Sequence, residues 1–192
     1  MSVQERKQRE RADRERLIVA AARELAEQQG WDAVTTRRLA ERIEYSQPVL
    51  YSHFRGKREI IGAVALKGAT EMAAALRAAT VGAEGPRERV AALARAYLDF
   101  AERNPAVYDA IFQLDGGLAY AQEDTPEPLK DAFAALMETL AEVAGNGIDP
   151  GLFTEVFWAS LHGIATLTRA GRLLPEYAEP RVELLVDRLA VI

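Results

Sequence analysis

The chain contains no cysteine, only two histidines (His53 and His162), and few aromatic residues, 7% of its 192 positions. Without cysteine there is no disulfide and no thiolate metal site. The two histidines lie far apart, so no metal-ligand spacing of the His-Glu-x-x-His kind exists, and no glycine-rich phosphate loop occurs. No cofactor and no metal is expected, and nothing in the scattered carboxylates points to an enzyme. A long hydrophobic run is missing as well. The longest uncharged stretch, "VFWASLHGIATLT" from Val156 to Thr168, has 13 residues, short of the roughly 20 that span a bilayer. The opening "MSVQERKQRERADRER" is charged and has no apolar core of the signal-peptide type. The expectation is a cytoplasmic protein.

What is present is ample apolar material, 49% of residues, and an uneven charge. Residues 1–60 carry 13 Lys+Arg against 10 Asp+Glu, a charge of +3, while residues 61–192 carry 11 against 19, a charge of −8. A basic end on an acidic body is what a protein needs if one end meets a polyanion; a solvated charged tail gives the same signature. Motifs have to decide between the two.

The periodicity predicts an all-α fold of about nine helices, since no sustained alternation of β-branched residues occurs. Residues 14–29 align Leu17, Ile18, Ala21, Ala22 and Leu25, and Gly30 marks a stop. Thr35 or Thr36 caps a short second helix with Leu39, Ala40 and Ile43 inward. Ser46 stands at the cap of a third, "SQPVLYSHF", and Pro48 falls in its first turn, where no intrahelical N–H is needed. A longer helix from Lys57 to about residue 80 carries the stripe Ile61, Ala65, Gly68, Met72, Leu76. By sequence order it alone joins the small N-terminal part to the rest. Further helices start at Pro86, Pro105, Pro126, Pro150 and Pro180, the last running to the C-terminus. The organisation expected is a flexible charged tail over 1–13, a small helical domain over 14–60 and a larger one over 61–192.

Three short helices, the last two joined by a tight turn, have helix-turn-helix geometry. Leu50 and Phe54 can anchor one face of the third helix. Gln47, Pro48, Val49, Tyr51, Ser52 and His53 are then left to meet a ligand, and a DNA major groove admits such a helix. Gln47 offers an amide to a base edge, Pro48 and Val49 suit thymine methyls, and Tyr51, His53 and Lys57 suit phosphates. Each residue taken singly also fits an ordinary surface position.

The string "AARELAEQQGWDAVTTRRLAERIEYSQPVLYSHFRGKREII", residues 21–61, resembles the DNA-binding domain of TetR-family transcriptional regulators. The resemblance implies an all-α homodimer with Gln47, Pro48, Val49, Tyr51 and Ser52 in the groove of double-stranded DNA. It also implies Thr36, Arg37, His53 and Lys57 on phosphates. Glu44 departs from the pattern, standing where the family has a turn glycine. A positive φ at a residue with a Cβ costs about 1 kcal/mol or more, so either a strained or a rearranged turn is expected.

Farther on, "FWASLHG" resembles the Trp-His-Gly C-terminal domain of some TetR-type regulators. Trp158 and His162 are four apart and share a helix face. They form either the wall and polar handle of an effector pocket or a packed core pair. The resemblance places Tyr97, Phe100, Tyr108 and Phe112 on helices around that pocket, and the same aromatics suit a plain core. The helix from Pro150 is apolar around most of its girth, so one side can meet a partner subunit. The dimer is expected from Phe157 and Leu161 on this helix with Val182, Leu185 and Leu189 on the last. The reading is a ligand-responsive regulator, most simply a repressor released by a small, mainly hydrophobic effector. The alternatives are an activator of the same type and an all-helical dimeric scaffold without effector.

Overall fold

A computed structural model describes residues 2–145 and 147–189. Among them the regular structure is nine α-helices and three short 3-10 turns, without strands. The helices are α1 (Val3–Gln29), α2 (Thr36–Arg42), α3 (Gln47–His53), α4 (Lys57–Thr80), α5 (Pro86–Arg103), α6 (Pro105–Phe112), α7 (Glu127–Leu140), α8 (Pro150–Arg169) and α9 (Ala178–Leu189). The expected continuation of the last helix past Leu189 lies outside the described residues.

The segment 1–13, expected as a flexible tail, is helical from Val3. Its start is a capping box: Ser2 Oγ accepts the Glu5 N–H at 3.1 Å, and the Ser2 N–H donates to the Glu5 carboxylate at 2.7 Å. Side-chain pairs spaced for helix then follow, Arg6 with Glu10 at 3.8 Å, Arg11 with Glu15 at 3.0 Å, and Arg16 with Asp13. Gly30, at φ 77°, ends α1 as expected. Thr35 caps α2 by accepting the Arg38 N–H at 3.2 Å.

The turn between α2 and α3 is strained at Glu44, which sits at φ 57°. The Tyr45 N–H bonds back to the Ala40 carbonyl at 3.0 Å. That bond closes α2 in the manner usually given to a glycine. Ser46 occupies the cap position of α3, but its side chain makes no capping bond.

Packing groups the chain into two compact units, one of Met1–Gly68 with Asn104–Pro126, the other of Ala69–Arg103 with Glu127–Ile192. A boundary drawn after residue 60 therefore misses α6 and the loop behind it, which belong with α1–α3. The chain passes between the units three times, so α4 is one of three covalent links. The sequence order had suggested a single one.

Specific contacts hold α6 in the first unit. The Glu27 carboxylate accepts the N–H groups of Ala106 and Val107 at 3.1 and 3.2 Å. These donors at a helix start have no intrahelical partner. Trp31 Nε1 donates to the Ala106 carbonyl at 2.8 Å, and Arg23 donates to Asn104 Oδ1 at 2.8 Å. Glycine permits the close approach of α4. A Cβ at Gly68 would stand 2.2 Å from Val107 Cγ1, and one at Gly62 2.4 Å from the Gly116 carbonyl oxygen.

The second unit packs α5, α7, α8 and α9 around Leu93, Tyr97, Leu136, Leu140, Phe157, Leu161, Val182 and Val186, all buried. Its surface is laced by arginine–carboxylate pairs. Arg77 bonds both Asp131 at 2.7 Å and Glu138 at 2.8 Å, and Arg95 bonds Glu179 and Glu183. The Arg77 guanidinium holds the Asp131 and Glu138 carboxyls below their ordinary range.

Candidate functional site

The site is built on α3. Leu50, 1% exposed, turns one face inward, and the α-helical period then fixes the rest. Gln47, Pro48, Tyr51 and Ser52 are exposed and Val49 is half-exposed. The Tyr51 hydroxyl lies 3.4 Å from Thr36 Oγ1, which links the outer faces of α3 and α2. Ser52 spends its hydroxyl proton on the Val49 carbonyl at 2.7 Å, so outward it presents an acceptor oxygen. Arg37 is exposed on α2 and pairs with Glu41 at 2.9 Å.

Two residues expected on this surface are turned inward instead. The His53 side chain is only 5% exposed, with Nδ1 3.2 Å from Glu15 Oε1. It follows Leu50 by three residues, and that spacing puts it on the anchored side of α3. Lys57 is half-buried, and its ammonium donates to the Trp31 carbonyl at 2.5 Å. Both side chains brace the head from within. Glu15 is held on two sides: burial pushes its carboxyl up, but hydrogen bonds from His53 and Arg11 outweigh that and set its pKa below the ordinary value. Arg11 also donates to the Ser52 carbonyl at 3.4 Å. Sequence reading missed Arg11 and Glu15 as supports of α3. The available signal was their i,i+4 spacing in line with the buried stripe of Ile18, Ala22 and Leu25.

The aromatic residues expected at one pocket divide between the units. Tyr108 and Phe112, with ring centroids 4.7 Å apart, belong to the first. Tyr97, Phe100, Trp158 and His162 belong to the second. There Trp158 Nε1 donates to the Tyr97 hydroxyl at 2.9 Å. Phe133 meets the Trp158 ring edge-on at 6.5 Å, and His162 lies against the same indole at 6.4 Å. Burial pulls the His162 pKa down, so the imidazole is neutral at pH 7. A separate open depression of about 540 Å³ in this unit is lined by Ala134, Met137, Glu138, Ala141, Asp149, Pro150 and Gly151.

The residues expected at a subunit contact also need correction. Phe157 and Leu161 are 0% exposed and Val182 2%, so the protomer's own core consumes them. Leu185 and Leu189 are half-buried. The opposite stripe of α8 is the one left bare: Leu152 is 58% exposed, Val156 50% and Leu167 40%, with Ala159 and Gly163 between them. On α9 the bare apolar residue is Leu184, 58% exposed.

Among the described residues no helix is long and apolar enough to cross a membrane. Comparison with known proteins then bears on the whole chain. Residues 18–64 match the model of bacterial regulatory proteins of the tetR family, and residues 90–189, more than half the chain, match the tetracyclin repressor-like C-terminal domain. An uncharacterized HTH-type transcriptional regulator of Bacillus subtilis strain 168, YobS, is 32% identical over 96 residues, 50% of either chain. The chain thus spans about half the length of that relative. The class A tetracycline repressor of transposon 1721 from Escherichia coli is 48% identical over 48 residues, 25% of this chain and 22% of the repressor. A solved structure of a protein of unknown function from Rhodococcus sp. RHA1 superposes with a TM-score of 0.76 at 28% identity, covering 91% of this chain and 92% of that one. This chain belongs to the tetR family of bacterial regulatory proteins.

Proposed function

We infer that the protein is a homodimeric repressor that reads a pseudo-palindromic operator through α3 and is released by a small, mainly hydrophobic effector. The observation that carries this reading is the outward set Gln47, Pro48, Tyr51 and Ser52 on a seven-residue helix held from behind by Leu50 and His53. Side chains so placed have no work in the protein's own core. In a dimer, two copies of α3 about 34–36 Å apart would enter successive turns of one DNA face.

Gln47 then reads a base edge, Pro48 and Val49 pack on thymine methyls, and Thr36, Arg37, Tyr51 and Ser52 set the register on the backbone. The bare stripe Leu152, Val156, Ala159, Gly163, Leu167 of α8, with Leu184 of α9, is the surface offered to a second copy. Its small central residues allow two α8 helices to approach closely. For the effector, Tyr97, Phe100 and Trp158 supply apolar wall, and the neutral His162 supplies one polar handle. Repression, in preference to activation, is taken over from the tetracycline repressors that share the α3 region.

Selection of bound duplexes from a random pool tests the reading. A two-fold symmetric motif with half-sites one helical turn apart is expected for the wild type. Gln47→Ala should lose roughly 1–3 kcal/mol of discrimination at one position per half-site. An identical motif for Gln47→Ala and wild type overturns the assignment of this face.

A further inference from the structure

The first four turns of α1 carry a cationic face that the first unit uses only through Arg11. In residues 18–26 one side of α1 is buried, through Ile18, Val19, Ala22, Leu25 and Ala26. The same side, followed back along the helix by steps of three and four, reaches Arg14, Arg11 and Lys7. All three side chains are exposed. The carboxylates of this segment are committed elsewhere: Glu5 to the capping box, Glu10 to Arg6, Asp13 to Arg16, and Glu15 to Arg11 and His53. Among the described residues, Lys7, Arg9 and Arg14 have no acidic partner. Arg9 points to the opposite side; Lys7 and Arg14 share one.

This side is fixed in place relative to α3. Arg11 donates to the Ser52 carbonyl at 3.4 Å, and Glu15 holds His53 at 3.2 Å, so α1 runs past the C-terminal end of α3. Lys7 and Arg14 are two turns apart, about 10 Å along the axis. The minor groove is roughly 6 Å wide, so two long cationic side chains at that spacing reach phosphates on both of its walls.

We propose that residues 3–16 form a rigid helical arm that seats Lys7 and Arg14 on the DNA backbone beside the groove occupied by α3. The proposal rests on the DNA-reading role of α3 and extends the footprint beyond it. A phosphate backbone is the occupant the charge selects: the face has uncompensated positive charge, and Val3 at its very start is too small an apolar group to enter a lipid or a protein groove alone. Phosphate contacts of this kind add affinity and register without sequence preference.

The test compares three full-length proteins on the selected operator and on a random duplex, reading the slope of log affinity against log salt. They are the wild type, Lys7→Gln/Arg14→Gln, and the charge-matched Arg9→Gln/Arg16→Gln on the other side. Each phosphate contact contributes about 0.9 to the slope. The first double variant should therefore flatten it by about 3.6 in a dimer, with the selected motif unchanged. Arg9→Gln/Arg16→Gln should keep the wild-type slope. Equal flattening in both doubles, or in neither, overturns the arm, with helicity by circular dichroism checking that α1 is intact. Loss of wild-type binding to anionic vesicles in the first double, with its DNA slope unchanged, would assign the face to a membrane and also overturn it. If the wild type binds neither duplex, the role of α3 falls instead.

Discussion

His53 Nδ1 lies 3.2 Å from Glu15 Oε1, tying the last residue of α3 to the middle of α1. An imidazole that looks in sequence like a phosphate donor is spent on orientation. His53→Ala should lower stability by about 1 kcal/mol, the net worth of one hydrogen bond. For a chain of this size that is about 2–4 °C in Tm. The salt slope of DNA binding should stay at the wild-type value. A flattened slope with unchanged Tm would return His53 to the DNA surface.

Glu44 at φ 57° closes α2 where a residue without Cβ is at ease. Glu44→Gly relieves a penalty of about 1–2 kcal/mol and gives back roughly half of it through the freer unfolded chain. A net gain of about 0.5–1 kcal/mol in denaturant unfolding is expected. A loss there would mean that the carboxylate, and not the backbone, matters at this turn.

The bare stripe of α8 predicts which substitutions separate subunits. Val156→Glu or Gly163→Glu should sediment as a folded monomer, because an unpaired buried charge costs several kcal/mol across such a contact. Phe157→Ala should act differently, opening a core cavity and lowering protomer stability by about 3–5 kcal/mol. A stable dimer for Val156→Glu places the interface elsewhere.

His162 gives a pH signature. Its folded pKa lies below the ordinary value because of burial, so the unfolded chain takes up the proton first, near pH 6.5. The neutral imidazole's contribution is fully present above that point and is lost as pH falls through the lower folded pKa. The wild type should therefore lose stability relative to His162→Phe as pH falls below about 6.5. The slope stays below one proton's worth, about 1.4 kcal/mol per pH unit, since the ring is half-exposed. Parallel curves for the two proteins would remove the burial argument.

Much of this could be read from residue spacing. The stop at Gly30, the cap at Thr35, the strained Glu44 and the stripe Ile61, Ala65, Gly68, Met72, Leu76 are local facts, set by backbone sterics and the helical period. Misreadings came where a distant partner decides. Nothing near Lys57 announces that its ammonium will find the Trp31 carbonyl. Nothing in "PAVYDAIF" announces that Glu27 will cap it. In sequence the charged opening of α1 looks like a tail, because its capping box and ion pairs are individually weak and act only together. Periodicity shows helix α8 as apolar on two sides, but it does not say which side belongs to the protomer. Burial of Phe157 and Leu161 answers that.

The clamp of Glu27, Trp31 and Arg23 on the start of α6 bears on how such proteins can be recombined. A DNA-reading head cut out as one contiguous stretch would leave behind the segment 104–126 that completes it. The excised piece would carry an unsatisfied Glu27 carboxylate, a Trp31 indole without its acceptor, and bare surface at Gly62 and Gly68 shaped for the Gly116 backbone and the Val107 side chain no longer there. A chimera that transplants operator preference between relatives would have to move two separated stretches of chain together, or move only the outward side chains of α3. Inheritance at the level of the gene is continuous here, and inheritance at the level of the folding unit is not.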